Sequence, residues 1–338
     1  MVTSRLKRLV YLALTVTLLI AGCQSERSSL NPRGEGAQSI ANLWMLMLLI
    51  GTIVYSQVVS VLIFALFRRR EETDENAPPD KSPTSRNARL FILANGFAIP
   101  LAILTVVIVL NFFTLLELSP EAAPVDLTID VIGHRYWWEV RYEDQQIVTA
   151  NEIHIPTNAR VRLRLTSEDV IHSFWVPALN GKADLIPGQT NQLILNTPNA
   201  GEYYGQCAEL CGLQHAGMLL KVIAAPQSDF EAWVAEQQKP AITSEDGLIQ
   251  RGEQIFLGAA CVYCHQIRGT GASGVIGPDL THIGSRTTLA AGVIPNNTAN
   301  LAGWIVDPQS IKPGNLMPPM YLEGDDLQAL VAYLQSLR

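Results

Sequence analysis

Two short clusters hold four of the chain's five cysteines, and both also contain histidine. In Tyr203–Met218 (YYGQCAELCGLQHAGM), Cys207 and Cys211 stand three residues apart and are followed by His215 and Met218. A disulfide, a zinc site and a copper site can all be built on two cysteines at this spacing. Oxidising compartments favour the disulfide, but a structural disulfide has no use for a neighbouring imidazole and thioether. Zinc takes four N or S ligands and seldom a methionine. Thiolate, imidazole and a weak methionine are the donor set of copper electron-transfer sites. A single blue copper uses one cysteine, so two thiolates could bridge two ions. A further candidate imidazole, His172, lies on a separate turn in SEDVIHSF.

The second cluster, Cys261-Val262-Tyr263-Cys264-His265, is the C-x-x-C-H attachment motif of a c-type haem. Both thiols bond to the porphyrin and His265 becomes the proximal iron ligand. A downstream sulfur completes the His/Met ligation that gives an electron carrier its raised potential. Met317 and Met320 have the right position; KPGNLMP resembles the distal loop of a monohaem cytochrome c, in which methionine precedes proline, which implies Met317 as the ligand, while Met320 is expected to pack.

The elements that must position these clusters follow from hydropathy and period. Arg5, Lys7 and Arg8 precede a short apolar run that stops at small residues before Cys23, a secretory signal pattern over 1–22. With 48% hydrophobic and 16% charged residues, the 338-residue chain is more apolar than most soluble proteins. Two uncharged stretches, 40–67 and 90–116, explain the excess, since about 20 apolar residues cross a bilayer. Between them Arg68, Arg69, Arg70, Lys81, Arg86 and Arg89 mark a cytoplasmic loop, 68–89, and place both hairpin ends outside. Gln57, Asn95, Pro100 and Asn111 within the spans predict faces packed against other membrane helices.

Beyond Pro120 the period becomes two. In Ala159–Leu165 (ARVRLRL) arginines alternate with apolar residues, and VDLTIDVIG, NEIHIP, NQLILNTP and MLLKVIAAP repeat the pattern between turn residues. These predict a small antiparallel barrel or sandwich over 121–226. A linker, 227–243, leads to a segment of helices and Gly/Pro-rich loops over 244–338, with the boundary near Pro240. Trp233 and the acids around it are expected in a solvated linker helix. His134, His154 and His282 lack metal-like spacing and are read as ordinary structural or solvent-exposed residues.

The sequence resembles subunit II of cytochrome c oxidase with a fused monohaem cytochrome c, a caa-type arrangement. The resemblance is carried by SEDVIHSFWVPALNGKADLIPGQTNQ, YYGQCAELCGLQHAGM, CVYCH and the segment from Trp304 to Pro318. It implies a multidomain chain: a two-helix transmembrane hairpin, an all-β cupredoxin-like Greek-key barrel and an all-α cytochrome c domain. It further implies a binuclear CuA centre in which Cys207 and Cys211 bridge two copper ions. His172 and His215 are then the terminal nitrogens, Met218 a weak axial ligand, and Glu209 a ligand through its carbonyl. In the family the Glu209 side chain also reaches toward a magnesium or manganese ion at the interface with subunit I. The Cys23 context resembles a lipoprotein lipobox. Quinol oxidases of the same superfamily lack these copper ligands.

Two positions depart from the family. Tyr136 stands where an electron-admitting tryptophan is usual, leaving Tyr136 or Trp137 for that role, and the start of the second span carries no acid, so no proton path is assigned. The implied function is electron transfer from an upstream cytochrome c or other respiratory donor, through haem c and CuA, to haem a of subunit I. There dioxygen is reduced to water and protons are pumped; this chain itself holds no oxygen-reducing site. The implied location is the bacterial plasma membrane, with the redox domains on the extracytoplasmic side. The copper subunit of a nitric oxide reductase and a stand-alone membrane-anchored carrier are the alternatives. No nucleotide loop, hydrolytic triad or basic nucleic-acid patch is present. Acids outnumber bases in both exported domains, which suits a basic donor.

Overall fold

The computed structural model describes residues 27–67, 86–120, 124–242 and 244–338. The predicted signal segment with Cys23 and residues 68–85 of the predicted basic loop lie outside the described residues. The chain divides into two compact units, Ser39–Ala122 and the remainder.

The first unit is helical. Helix α1 (Glu35–Phe67) supplies the first span, and α2 (Arg86–Leu93), a π-helical turn (Ala94–Ala98) and α3 (Ile99–Glu117) make the second. Both stretches are long and apolar enough to cross a membrane. The wide turn precedes Pro100, which sits in the first turn of α3, where a missing backbone N–H is tolerated. Gln57 Nε2 donates to Asn95 Oδ1 at 2.8 Å, and Asn95 Nδ2 donates to the Phe91 carbonyl at 3.0 Å. Two amides that the sequence predicts to face other membrane helices therefore satisfy each other inside the hairpin. Hydrocarbon offers no alternative partner, so the pairing is favoured.

In the second unit two five-stranded sheets pack face to face. One has the order β3 (Ile147–Ala150), β2 (Trp137–Tyr142), β1 (Leu127–His134), β5 (Val161–Ser167), β8 (Asn191–Leu195). The other runs β4 (Glu152–Pro156), β10 (Leu219–Ala225), β9 (Gly201–Cys207), β6 (His172–Trp175), β7 (Ala183–Leu185). On β5, Val161, Leu163 and Leu165 are fully buried while Arg162 and Arg164 turn outward, and Arg164 pairs with Asp130 on β1. Trp138, Tyr142 and Phe174 fill the space between the sheets. The expected antiparallel arrangement is incomplete: β1 pairs with β5, and β4 with β10, in parallel. A period of two identifies the buried face of a strand but says nothing of its neighbour's direction.

Residues just before and within the start of α1 dock on this sandwich. Arg33 and Gly34 donate backbone N–H bonds to the Ala178 carbonyl, and Ala37 donates to that of Leu179. A Cβ at Gly34 would stand 2.4 Å from the Leu179 carbonyl oxygen, so only glycine fits there. The helix consequently begins at Glu35, ahead of the apolar run.

Helix α4 (Gln227–Gln237) is not a solvated linker. Phe230 and Gln237 are buried, Trp233 stacks on His154 at 4.2 Å, and both aromatics join the sandwich core. The segment after it is also tied down, because Arg268 donates to the carbonyls of Gln237 and Gln238 while Ala241 N–H donates to the Arg268 carbonyl.

The C-terminal domain is built from α5 (Gly247–Gly258), α6 (Cys261–Cys264), α7 (Thr298–Val306), α8 (Pro308–Ile311) and α9 (Gly324–Ser336). Asp246 caps α5 by accepting from Leu248 and Ile249. Helices α5 and α9 cross at Gly252, where a Cβ would meet the Ala329 carbonyl oxygen at 2.0 Å. Phe256, Leu330, Tyr333 and Leu334 form the core beside this crossing.

Candidate redox centres

Strand ends place the first centre. His172 opens β6, Cys207 closes β9, and the loop from Cys207 to Met218 returns into β10. Cys207 Sγ lies 3.9 Å from Cys211 Sγ, 3.9 Å from His172 Nδ1 and 3.2 Å from the Glu209 carbonyl oxygen. Cys211 Sγ lies 3.9 Å from His215 Nδ1 and 3.9 Å from Met218 Sδ. All six predicted donors thus converge on one pair of sulfurs. His172, Cys207 and Cys211 present ligand atoms within 4.8 Å of one another.

Each donor is held from behind. Asp169 Oδ1 lies 2.9 Å from His172 Nε2, which turns Nδ1 toward the sulfurs. Gly133 makes room for that ring, since a Cβ there would come within 2.7 Å of His172 Cδ2. His172 and Met218 are fully buried. Burial works against a charge on His172, yet Cys207 and Asp169 together raise its pKa. The Cys211 thiol, with His172 and nearby backbone groups, pulls Cys207 down to about 3, and the resulting thiolate pushes Cys211 up. Each sulfur thus bears on the other's ionisation. Metal binding at both must displace any thiol proton.

The second centre is a cavity of about 350 Å³ in the C-terminal domain. Cys261, Cys264, His265, Met317 and Met320 line it, together with Leu280, Leu301 and Ile305. His265 Nδ1 donates to the Pro278 carbonyl at 2.8 Å, leaving Nε2 as the ligand atom. Burial lowers the His265 pKa and favours the neutral imidazole a metal requires. Gly277 permits the close passage of its loop, because a Cβ would stand 2.6 Å from His265 Cε1. The Met317 loop is shaped by Gln309, whose Nε2 donates to the carbonyls of Asn315 and Met317. Met320 packs against the domain core.

Arg135, Tyr136 and Trp137 of the β-sandwich also line this cavity. Trp137 stacks on His134 at 4.4 Å. Tyr136 faces both centres: its hydroxyl accepts from Leu213 N–H at 3.1 Å, and its carbonyl accepts from Lys312 Nζ at 2.7 Å.

Comparison with known proteins agrees with this pair of centres. The family described as the periplasmic domain of cytochrome c oxidase subunit II matches residues 145–225, and the family described as cytochrome c matches residues 249–338. Cytochrome c oxidase subunit 2 of Alkalihalophilus pseudofirmus is 37% identical over 339 residues, covering 96% of this chain and 95% of the relative. The chain belongs to the cytochrome c oxidase subunit II family. Subunit 2 of Bacillus subtilis is 33% identical, with 98% of each chain covered. The periplasmic domain of subunit II of cytochrome oxidase from Bradyrhizobium japonicum superposes with a TM-score of 0.34 at 32% identity, covering 34% of this chain and 96% of that one.

A subunit II with a fused cytochrome c implies a CuA centre, a haem c and a partner subunit I, and the residues fit both cofactors. Two thiolates with imidazole, thioether and carbonyl donors suit copper better than zinc. The cavity is lined by the C-x-x-C-H turn, by two thioethers and by Arg286, whose Nε has no partner among the described residues. That guanidinium offers a counter-charge to an anionic group on the cofactor. Asp169, Glu152, Arg286 and Lys312 were not singled out by the sequence, because a charged residue on a turn looks the same whether it faces water or a neighbouring domain. His134, His154 and His282 take the structural roles their spacing suggests: His134 pairs with Glu139, His154 stacks on Trp233, and His282 Nε2 bonds to the Lys239 carbonyl.

Proposed function

We propose that this subunit passes electrons within one chain, from a respiratory donor to haem c and on to a pair of copper ions, for delivery to subunit I. The observation that carries this reading is that Tyr136 and Trp137 belong to the wall of the haem cavity while Tyr136 also braces the copper loop. When bound, the haem and the copper pair supply the one-electron chemistry that feeds haem a of subunit I, where dioxygen is reduced to water and protons are pumped.

Cys207, Cys211, His172, His215, Met218 and the Glu209 carbonyl would hold the copper, and it would supply one-electron transfer there. Asp169 fixes the His172 ring in the orientation the site needs. Cys261 and Cys264 would hold the haem covalently, and His265 and Met317 would offer ligands to its iron. The buried pocket around Met218 and His172 excludes water, so its dipoles need little rearrangement when charge arrives. The Glu209 side chain reaches toward a magnesium or manganese ion shared with subunit I. Both redox domains face the extracytoplasmic side of the bacterial plasma membrane, behind a signal peptide cleaved before a lipidated Cys23. The docked helix α4 extends the copper domain to Gln237 and shortens the linker accordingly.

The test is purification from solubilised membranes, with spectra of the haems that accompany the chain. A large haem-copper subunit bearing haem a is expected to co-purify. A chain isolated alone, with its haem and copper complete and oxidase activity in another fraction, would contradict the reading.

A further inference from the structure

The two redox domains exchange buried charged side chains. Glu152, at the start of β4 in the copper domain, is 4% exposed. Its carboxylate accepts from four donors of the haem domain: Thr287 N–H at 2.9 Å, Thr287 Oγ1 at 2.7 Å, and Thr288 N–H and Oγ1 at 3.0 Å each. Lys312, on the loop that carries Met317, makes the return journey and is 2% exposed. Its ammonium donates to the Tyr136 carbonyl at 2.7 Å, the Gly217 carbonyl at 2.9 Å and the Ala290 carbonyl at 2.9 Å. Tyr136 and Gly217 belong to the copper domain, and Gly217 adjoins Met218.

These arrangements make sense only with the domains together. Burial lowers the Lys312 pKa to about 7; in its protonated form the amine has three N–H bonds and no acceptor, and three carbonyls use all of them. Undocking takes each group from partners that satisfy it, and a substitution that removes one partner while the other stays buried is strongly destabilising. The rest of the interface is as closely fitted. Leu219 N–H donates to the Ala291 carbonyl at 3.0 Å, and Gln214 Nε2 donates to the Pro313 carbonyl at 2.8 Å. Gly292 and Gly314, both at positive φ, lie where a Cβ would press on Leu219 and Leu213.

We propose that Glu152 and Lys312 are reciprocal positioning residues that lock the haem domain onto the copper domain. Haem cavity and copper loop are thereby held at one separation, and no tethered search is needed before each transfer. This rests on the intrachain path proposed above and adds that the path is pre-formed.

The test uses the whole oxidase complex. Hydrogen exchange in the wild type reads the lock directly: the Thr287 and Thr288 amides are expected to exchange as slowly as those of the haem-domain core. Haem-to-copper transfer after photoreduction is then timed in increasing glycerol for the wild type, Lys312→Met and Glu152→Gln. The wild-type rate is expected not to respond to viscosity. In the variants it is expected to fall about tenfold or more and to slow with viscosity, since buried charge partners are lost. Segment 286–292 should exchange correspondingly faster, with haem and copper spectra unchanged. Fast exchange of the two threonine amides in the wild type would overturn the proposal whether or not the variants assemble. Variants that keep the wild-type rate, viscosity response and protection would do the same. If the wild type shows slow exchange but no haem-to-copper transfer, the lock stands and the electron path is wrong.

Discussion

The hydroxyl of Tyr136 accepts a hydrogen bond from the backbone N–H of Leu213 at 3.1 Å. Leu213 lies two residues beyond Cys211, and a Cβ at the intervening Gly212 (φ +129°) would stand 2.6 Å from the same hydroxyl oxygen. The copper loop therefore rests on a side chain that also forms part of the haem cavity wall. Tyr136→Phe leaves the Leu213 N–H unpaired at a cost of about 1 kcal/mol. The variant is expected to broaden or shift the copper electron spin resonance spectrum while leaving the haem spectrum intact. An altered haem spectrum with an unchanged copper signal would place Tyr136 in the other centre only.

Metal content follows from the paired sulfurs. Two bridging thiolates can hold two ions, so two coppers per chain with a delocalised mixed-valence spectrum are expected. Cys207→Ser should abolish that spectrum. Recovery of one zinc per chain, or of a Cys207–Cys211 disulfide after assembly with copper present, would refute the assignment.

The two methionines are separable. Met317→Ala is expected to make the haem iron high-spin or recruit another ligand, and to lower its potential, because a thioether stabilises reduced iron. Met320→Ala should cost some stability through lost packing and leave the axial ligation alone. The reverse outcome would move the ligand to Met320.

How far the sequence alone reached is clearest in particular residues. The spacing of Cys207, Cys211, His215 and Met218 names a donor set, and the alternation along Val161–Leu165 names a buried face; both signals are local. Lys312 and Glu152 are different: each is a single charge on a turn or strand end, and its meaning depends on a domain far away in sequence. The Gln57–Asn95 pair was visible as two polar residues but not as partners, since hydropathy carries no azimuth between helices. Helix α4 reads as a linker because acids and amides are mixed with apolar residues along it without a clear face, while Phe230 and Trp233 do the packing.

His154 makes the copper domain sensitive to mild acid. Burial lowers its pKa from 6.5 to about 4. Between those values the unfolded state binds a proton that the folded state does not, so stability falls as pH drops through this window, by about 3 kcal/mol at most. The carboxylates of Glu139, Asp169 and Glu202, held low in the folded state, add losses at still lower pH. Urea unfolding of a copper-loaded fragment beginning at residue 124, followed from pH 7 to 4.5, should show this decline. His154→Phe, which keeps a ring against Trp233, should flatten it, and a variant with the wild-type profile would assign the decline to other groups.

The central claim is that one chain carries electrons from its own haem to its own copper pair. Flash photoreduction of the haem, followed at the copper band across a dilution series and a salt series, tests it most directly. An intramolecular step between docked domains has no encounter to be diluted and no long-range steering to be screened. The rate is expected to stay constant on dilution and to change little with ionic strength. A rate that falls in proportion to concentration would mean that the haem of one molecule serves the copper of another, and would contradict the account.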